Sequence, residues 1–235
     1  MKYFTNKKLQ EALAMKHEFI CVASHELKTP LTALKLQVEM AKRVMDNHGV
    51  DAISPGKVRS IINRTHQDVL RLSRLVDDLL DASRINSGKF TMKYEYFNLE
   101  DFMEDFTQRM SHQRIRMTIH APVMVKWDKF RIEQVIINLL NNAFRYGNGS
   151  EVDLDVSTGG NLVFIKVRDY GPGISQECQK KIFARFECGD MDRATEGLGL
   201  GLYISQEIIK HHNGKIVLNS ELGKGSTFEL QIPIS

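Results

Sequence analysis

No stretch of this chain approaches the run of about 18 apolar residues that a membrane-crossing helix needs. The N-terminus also lacks the charged-then-apolar order of a secretory signal. Cysteine is scarce. Cys21, Cys178 and Cys188 are widely spaced, odd in number and show no metal-ligand pairing, which fits a reducing cytosol better than a disulfide scaffold. An excess of either charge is missing too: 32 Lys and Arg against 29 Asp and Glu leave +3 over 235 residues. The basic residues are scattered rather than gathered into a run, so nothing argues for nucleic acid. Internal repeats and low-complexity linkers are absent. What remains, 42% hydrophobic and 26% charged residues, is the make-up of an ordinary globular protein. Its length allows one large or two modest domains.

Periodicity divides the chain. Residues 6–48 read as one long helix interrupted only by Pro30, and Asn47-His48-Gly49 with Ser54-Pro55-Gly56 is turn chemistry. In a second helix, Val58, Ile62, Thr65, Val69, Leu72, Val76 and Leu79 alternate steps of four and three, the period of a coiled-coil seam. Two such helices cannot bury their apolar stripes alone. A homodimer forming a four-helix bundle is the expected solution, and a monomeric hairpin packed on the rest of the chain is the alternative. Asn86-Ser87-Gly88 closes the second helix. Strands are then expected at 89–97, 115–120, 123–127, 152–156, 162–168, 215–219 and 227–232. Helices are expected at 99–110, at 128–145 with Asp128 as N-cap, and from the glycines near 197 to about 212. The reading is an all-α hairpin over 1–88 followed by an α/β domain over 89–235.

On the first helix, Phe19, Ala23, Leu27, Leu31, Leu34, Val38 and Ala41 form one apolar stripe. His25 lies two residues from both Ala23 and Leu27, roughly 200° around the helix from that stripe. It shares its face with Cys21, Lys28, Thr29 and Thr32. An exposed helical histidine is ordinarily plain solvated surface. With Glu26 beside it, one ring nitrogen can be oriented and the other left free to attack. Pro30 cannot donate to the carbonyl of Glu26, so a bend is expected one turn beyond the histidine.

Four segments of the second part carry chemistry. Asn138 and Asn142, at i,i+4, can place two amide oxygens on one helix face for a Mg²⁺ that keeps water and phosphate ligands, or can satisfy one another as a buried pair. Asp169-Tyr170-Gly171-Pro172-Gly173-Ile174 ends a strand with a carboxylate able to accept from an exocyclic amine and glycines that admit a flat ring. Gly197-Leu198-Gly199-Leu200-Gly201-Leu202 opens a helix, where glycine amides and the helix dipole favour phosphate. It is neither a Walker loop nor a dinucleotide fingerprint, since the residues those require do not flank it. Gly223-Lys224-Gly225-Ser226-Thr227-Phe228 reads by itself as a hairpin turn.

Taken in order, these segments resemble the core of the sensor histidine kinases of two-component systems. Ser24 to Leu31 is similar to the phosphoacceptor box, Asn138 to Tyr146 to the N box, Asp169 to Ile174 to the first glycine box, and Ile182 to Phe186 to the phenylalanine box. Gly197 to Leu202 and Gly223 to Phe228 are similar to the remaining glycine boxes. The resemblance implies a dimeric phosphoacceptor hairpin joined to an ATP-binding α/β sandwich of the type shared with gyrase, the Hsp90 chaperones and the mismatch-repair ATPases. It implies ATP-dependent phosphorylation of His25, aided by Glu26, and onward transfer to an aspartate of a separate response-regulator receiver. Thr29 would support dephosphorylation of that receiver, unless it merely caps backbone disturbed by Pro30. ATP would contact Asn138, Asn142, Arg145, Tyr146, Asp169, Gly171, Gly173, Ile174, Phe186, Gly197, Leu198, Gly199, Leu200, Gly201, Leu202 and Thr227, with Mg²⁺ on Asn138 and Asn142. A cytoplasmic location follows. The abrupt start in helical step (Leu9, Leu13, Lys16, Ile20) reads as a cut through a longer helix, with an upstream sensor segment expected.

Two departures stand out. Cys188 occupies the place where the family usually has an arginine, so a cation contacting the γ-phosphate is missing unless Arg185 or Arg193 reaches in from the lid. Arg145 stands where lysine is common, which keeps the charge and changes the donor geometry. Two other functions compete with the kinase reading. Hydrolytic relatives carry a water-activating glutamate four residues before the Mg²⁺ asparagine, and that place is Asn138 here, which cannot act as a base. The other is a degenerate ATP-binding dimerisation module without chemistry, with Cys188 in its favour and the intact boxes against it.

Overall fold

The structure is a computed structural model. It describes residues 2–48, 54–110, 114–120, 122–147, 149–187 and 198–235, and in the first helix the side chains of residues 20–46. Of the positions singled out above, Gly197, Cys188 and Arg193 lie outside the described residues, as does most of the turn between the two long helices.

The chain divides into two compact units, one built on Met1–Ser83 and the other on Arg84–Arg193 and Gly199–Ser235. Helix α1 (Lys2–His48) runs unbroken through Pro30, and α2 (Pro55–Asn86) follows it. The two are cross-linked where the Gln37 side-chain amide donates to Asp68 Oδ2 at 3.0 Å and Thr65 Oγ1 donates back to Gln37 Oε1 at 3.3 Å. The expected stripes are only partly covered. Ala23, Leu75 and Ala82 are buried, yet Leu31 and Val38 on α1 and Val58, Ile62, Val69 and Val76 on α2 are exposed. The buried face of α2 is offset from the expected seam, because each helix carries more apolar width than one partner helix can cover. No helix among the described residues is long and apolar enough to cross a membrane.

In the second unit a five-stranded sheet runs in the order β2-β4-β5-β7-β6, with β2 (Ile115–His120) parallel to β4 (Val152–Gly159) and every other pair antiparallel. The strands β5 (Leu162–Arg168), β6 (Lys215–Glu221) and β7 (Gly225–Pro233) complete it. One face is apolar: Val152, Leu154 and Val156, then Val163, Ile165 and Val167, then Phe228, Leu230 and Ile232 are all buried. Three helices bring matching stripes. These are α3 (Leu99–Arg109) with Leu99, Phe102, Met103 and Phe106, α4 (Lys129–Tyr146) with Ile132, Val135, Ile136, Leu139, Leu140 and Ala143, and α6 (Gly201–His211) with Ile204, Ile208 and Ile209. Asn98 and Asp128 cap α3 and α4 through their side chains. A short α5 (Gln176–Gln179) lies between β5 and α6.

The strand expected at 89–97 is much shorter. β1 (Glu95–Asn98) pairs only with the four residues of β3 (Met124–Trp127). Before it the chain is anchored by side chains rather than by a ladder. The Lys93 N–H donates to Asp128 Oδ2 at 2.7 Å, the Tyr94 hydroxyl donates to the His211 carbonyl at 2.6 Å, and the Arg131 guanidinium stacks on Phe90 at 4.6 Å.

Candidate active site

Helix α4 is the spine of the site in the second unit. Near its middle, Asn138 Nδ2 donates to the buried Ser205 Oγ of α6 at 3.0 Å. Its Oδ1 lies against Gly201, where an added Cβ would fall 2.3 Å from it. A side chain at 201 would therefore displace the Asn138 amide from its bond to Ser205. Two turns on, the Tyr146 carbonyl lies against Gly171, where a Cβ would fall 2.2 Å away. Asn138 and Tyr146 are about 12 Å apart along the helix, and one helix thus touches the glycine loop at one end and the Asp169 turn at the other. Asn142 lies between them, half-buried, and its amide has no protein hydrogen-bond partner among the described residues. The two asparagines are not equivalent: Asn138 is committed to α6, and Asn142 is the free oxygen donor.

Asp169 is buried at the end of β5. Its Oδ1 accepts from the Gly171 N–H at 2.9 Å and the Ser226 N–H at 3.2 Å, and the Ser226 side chain also bonds to the carboxyl. Burial pushes the carboxyl above the ordinary carboxylate range, against the pull of those N–H groups. The pocket depends on glycine: Gly225, at φ +87°, would put a Cβ 2.1 Å from the Asp169 carbonyl, and Gly173, at φ +75°, one 2.1 Å from the Glu221 carbonyl. Ile174 is held by its N–H to Ser220 Oγ at 2.8 Å. Thr227 is half-buried on β7, opposite Arg168.

Helix α6 begins at Gly201, four residues later than the glycine run predicts, and its N-cap Leu200 offers no side-chain acceptor to the first-turn amides. Leu198 and Leu200 are buried and Leu202 is half-buried. Phe186 has φ +64° and its N–H donates to the Gly199 carbonyl at 3.1 Å. Arg185 is occupied on α6, donating to the Tyr203 hydroxyl at 2.8 Å with its guanidinium 4.6 Å over the Tyr203 ring. Arg145 stacks on Tyr146 at 5.5 Å. Ser205 and Ser226 are supporting residues that spacing did not reveal. The only signal was a small polar residue where a helix or strand turns inward.

In the first unit the His25 side chain is 81% exposed, and its Nδ1 lies 3.5 Å from Glu26 Oε1. The Thr29 hydroxyl donates to the His25 carbonyl at 3.2 Å.

A helical hairpin with an exposed histidine, followed by a mixed α/β sandwich with three helices on one face, defines the class: a phosphoacceptor hairpin and a sandwich of the GHKL ATPase type. Residues 15–88 match the His Kinase A (phospho-acceptor) domain, and residues 127–235 match the histidine kinase-, DNA gyrase B- and HSP90-like ATPase domain. Similar proteins include the sensor histidine kinase RppB of Synechocystis sp., 30% identical over 96% of this chain and 51% of that protein. The adaptive-response sensory kinase SasA of Thermosynechococcus vestitus is 31% identical over 97% of this chain and 62% of its own. Among solved structures, the histidine kinase AdeS of Acinetobacter baumannii covers 90% of this chain and 98% of its own, at 26% identity and a TM-score of 0.62. The chain belongs to the sensor histidine kinases of two-component systems. It spans 51% and 62% of the length of the two curated relatives named here.

Proposed function

We propose that this chain is an ATP:protein-histidine phosphotransferase core, with a phosphoacceptor domain over 1–88 and an ATP-binding domain over 89–235. The observation that carries the nucleotide reading is the α4 spine, which sets Gly201, Asn142 and the Asp169 turn in line. Adenine sits at Asp169, its amine donating to Oδ2, with Gly171, Gly173, Ile174 and Thr227 around the ring. The phosphates lie toward Gly197, Gly199 and Gly201 at the start of α6, with Arg145, Tyr146, Phe186 and the leucines of that loop completing the pocket. The residues present fit Mg²⁺: Asn142 offers an unpaired hard oxygen, with Asn138 beside it. No group of three His, Cys, Asp or Glu forms a dedicated cage among the described residues, so water and phosphate supply the other ligands. When bound, the ion offsets charge on the phosphates.

His25 is the nucleophile. With Nδ1–H directed at Glu26, the lone pair is on Nε2. Nε2 attacks Pγ, the N–P bond forms as the bond from Pγ to the bridging oxygen breaks, ADP leaves with that electron pair, and Glu26 takes the Nδ1 proton. The phosphoryl group then passes to an aspartate of a response-regulator receiver. We further propose that the hairpin dimerises and that the core works in the cytoplasm. The hydrolytic alternative finds no base at Asn138, whose amide is engaged with Ser205.

Incubation with γ-labelled ATP tests the reading. The wild type should acquire acid-labile, base-stable label, and His25→Ala should acquire none while binding ATP with unchanged affinity. Acid-labile label on His25→Ala, or rapid phosphate release by the wild type without phosphohistidine, overturns it.

A further inference from the structure

The Asp169 carboxylate is held on its own side of the sheet by the N–H groups of Gly171 and Ser226, in a turn whose glycines carry no side chains to brace it. Tyr170, between Asp169 and Gly171, faces the opposite side of the sheet, continuing the strand alternation past Arg168. There its hydroxyl donates to Asp153 Oδ2 at 2.5 Å, and the Arg168 guanidinium covers its ring at 4.8 Å. The other oxygen of Asp153 accepts from Arg116 Nε at 2.8 Å and from its terminal nitrogen at 2.6 Å. These contacts follow from the ladder itself: Arg116, Asp153 and Arg168 stand directly opposite one another across β2, β4 and β5. Their chemistry is matched. Burial tends to raise the Asp153 carboxyl, but the bonds from Tyr170 and Arg116 win and hold it below the ordinary carboxylate range. The bond to Asp153 raises Tyr170, so the phenol stays a neutral donor.

We infer that Tyr170 is a positioning residue for nucleotide binding, tying the Asp169 turn to the rigid outer face of the sheet through Asp153 and the two arginines. This rests on the proposed adenine contact at Asp169. One side of the turn is fixed by Gly171 against the Tyr146 carbonyl and by Gly225 against the Asp169 carbonyl. Tyr170 supplies the restraint on the other side, and it acts together with the Gly171 and Ser226 N–H groups on Oδ1 to set the direction of Oδ2. None of Tyr170, Asp153 or Arg116 touches the ligand in this arrangement.

The test uses Tyr170→Phe, which keeps the ring under Arg168, together with Asp153→Asn and the double variant in the full chain. Calorimetry with ATP and with ADP should show each single variant losing about three- to tenfold in affinity, the size of one net hydrogen bond felt through the turn. The loss should be equal for the two nucleotides, because the adenine end is common to both, and the Mg²⁺ dependence should not move. The double variant should be no weaker than Tyr170→Phe, since both remove one link. Unchanged ATP affinity in Tyr170→Phe, or losses that simply add in the double variant, overturn the inference. Asp169→Asn separates it from the underlying reading. If Asp169→Asn binds ATP like the wild type, the adenine assignment itself fails; if it loses ATP while Tyr170→Phe does not, only the positioning role falls.

Discussion

The Thr29 hydroxyl donates to the carbonyl of His25, 3.2 Å away, and Thr32 does the same to Lys28 at 2.7 Å. Between them Pro30 has no N–H to give to Glu26, so these back-bonds hold helix where the ladder has a gap. Bonded in this way, Thr29 keeps its oxygen lone pairs exposed on the face it shares with His25, where a water can be held. We propose a second use of this side chain, in dephosphorylation of a docked receiver, and a single substitution separates the two. Thr29→Ala should leave phosphorylation of His25 and transfer to a receiver intact, and should lengthen the lifetime of the receiver's phosphate by about tenfold or more, because an in-line water loses its guide. The measurement is loss of label from a phosphorylated receiver mixed with wild-type or variant chain. Equal lifetimes would leave Thr29 with its helix-holding bond alone.

Helices α4 and α6 meet at Asn138, through Ser205 and Gly201, and the end of α6 is tied to the start of α4 by His212. This ring is buried, accepts from the Asp128 N–H at Nε2 (2.9 Å) and donates from Nδ1 to the Ile208 carbonyl (2.8 Å), so the neutral form satisfies every bond. Burial lowers its proton affinity most, and His211 adds to that, while the bond to Ile208 and the charge of Asp128 oppose it. Trp127 and Tyr94 pack edge-on against it. With a folded value below that of the unfolded chain, the unfolded state binds more protons as pH falls. The contribution is therefore full above about pH 6.5 and is lost progressively below it. Urea unfolding followed between pH 8 and pH 5 should show stability falling on the acid side, and His212→Gln should be less stable at pH 8 by about 1–3 kcal/mol with a flatter dependence. An identical slope in His212→Gln would remove the residue from that role. None of this was legible in the sequence, where residue 212 marks only the end of a helix. The α4 helix was legible almost to the residue, because its apolar spacing and the Asp128 cap are both local. So were the glycine turns, whose composition is their geometry. The strand at 89–97 was not, because a strand ends where its partner ends, and β3 is four residues long. Ser205, Ser226 and the Arg116–Asp153–Arg168 row depend in the same way on which strands and helices become neighbours.

The hairpin leaves apolar surface on both helices. Ile62, Val69 and Val76 follow one another at heptad spacing on α2 and are 60%, 46% and 40% exposed, and Leu31 and Val38 on α1 are 56% and 52% exposed. Residues a heptad apart keep to one side of a helix, so this is a seam and not scattered surface. The Gln37–Thr65–Asp68 cross-link lies inside the hairpin and fixes the pairing of α1 with α2, leaving the outward seam for a second copy. Burying one such side chain is worth about 1.5–3 kcal/mol, and a carboxylate in its place would have to be buried without a partner. Ile62→Glu with Val69→Glu should therefore convert the proposed dimer to a monomer in sedimentation at micromolar concentration. ATP affinity should stay at the wild-type value, because Asn142, Asp169 and Gly201 all belong to the other compact unit. A double variant that sediments like the wild type would send the dimer contact elsewhere on the molecule. A wild-type chain that is monomeric at tens of micromolar would remove the dimer altogether.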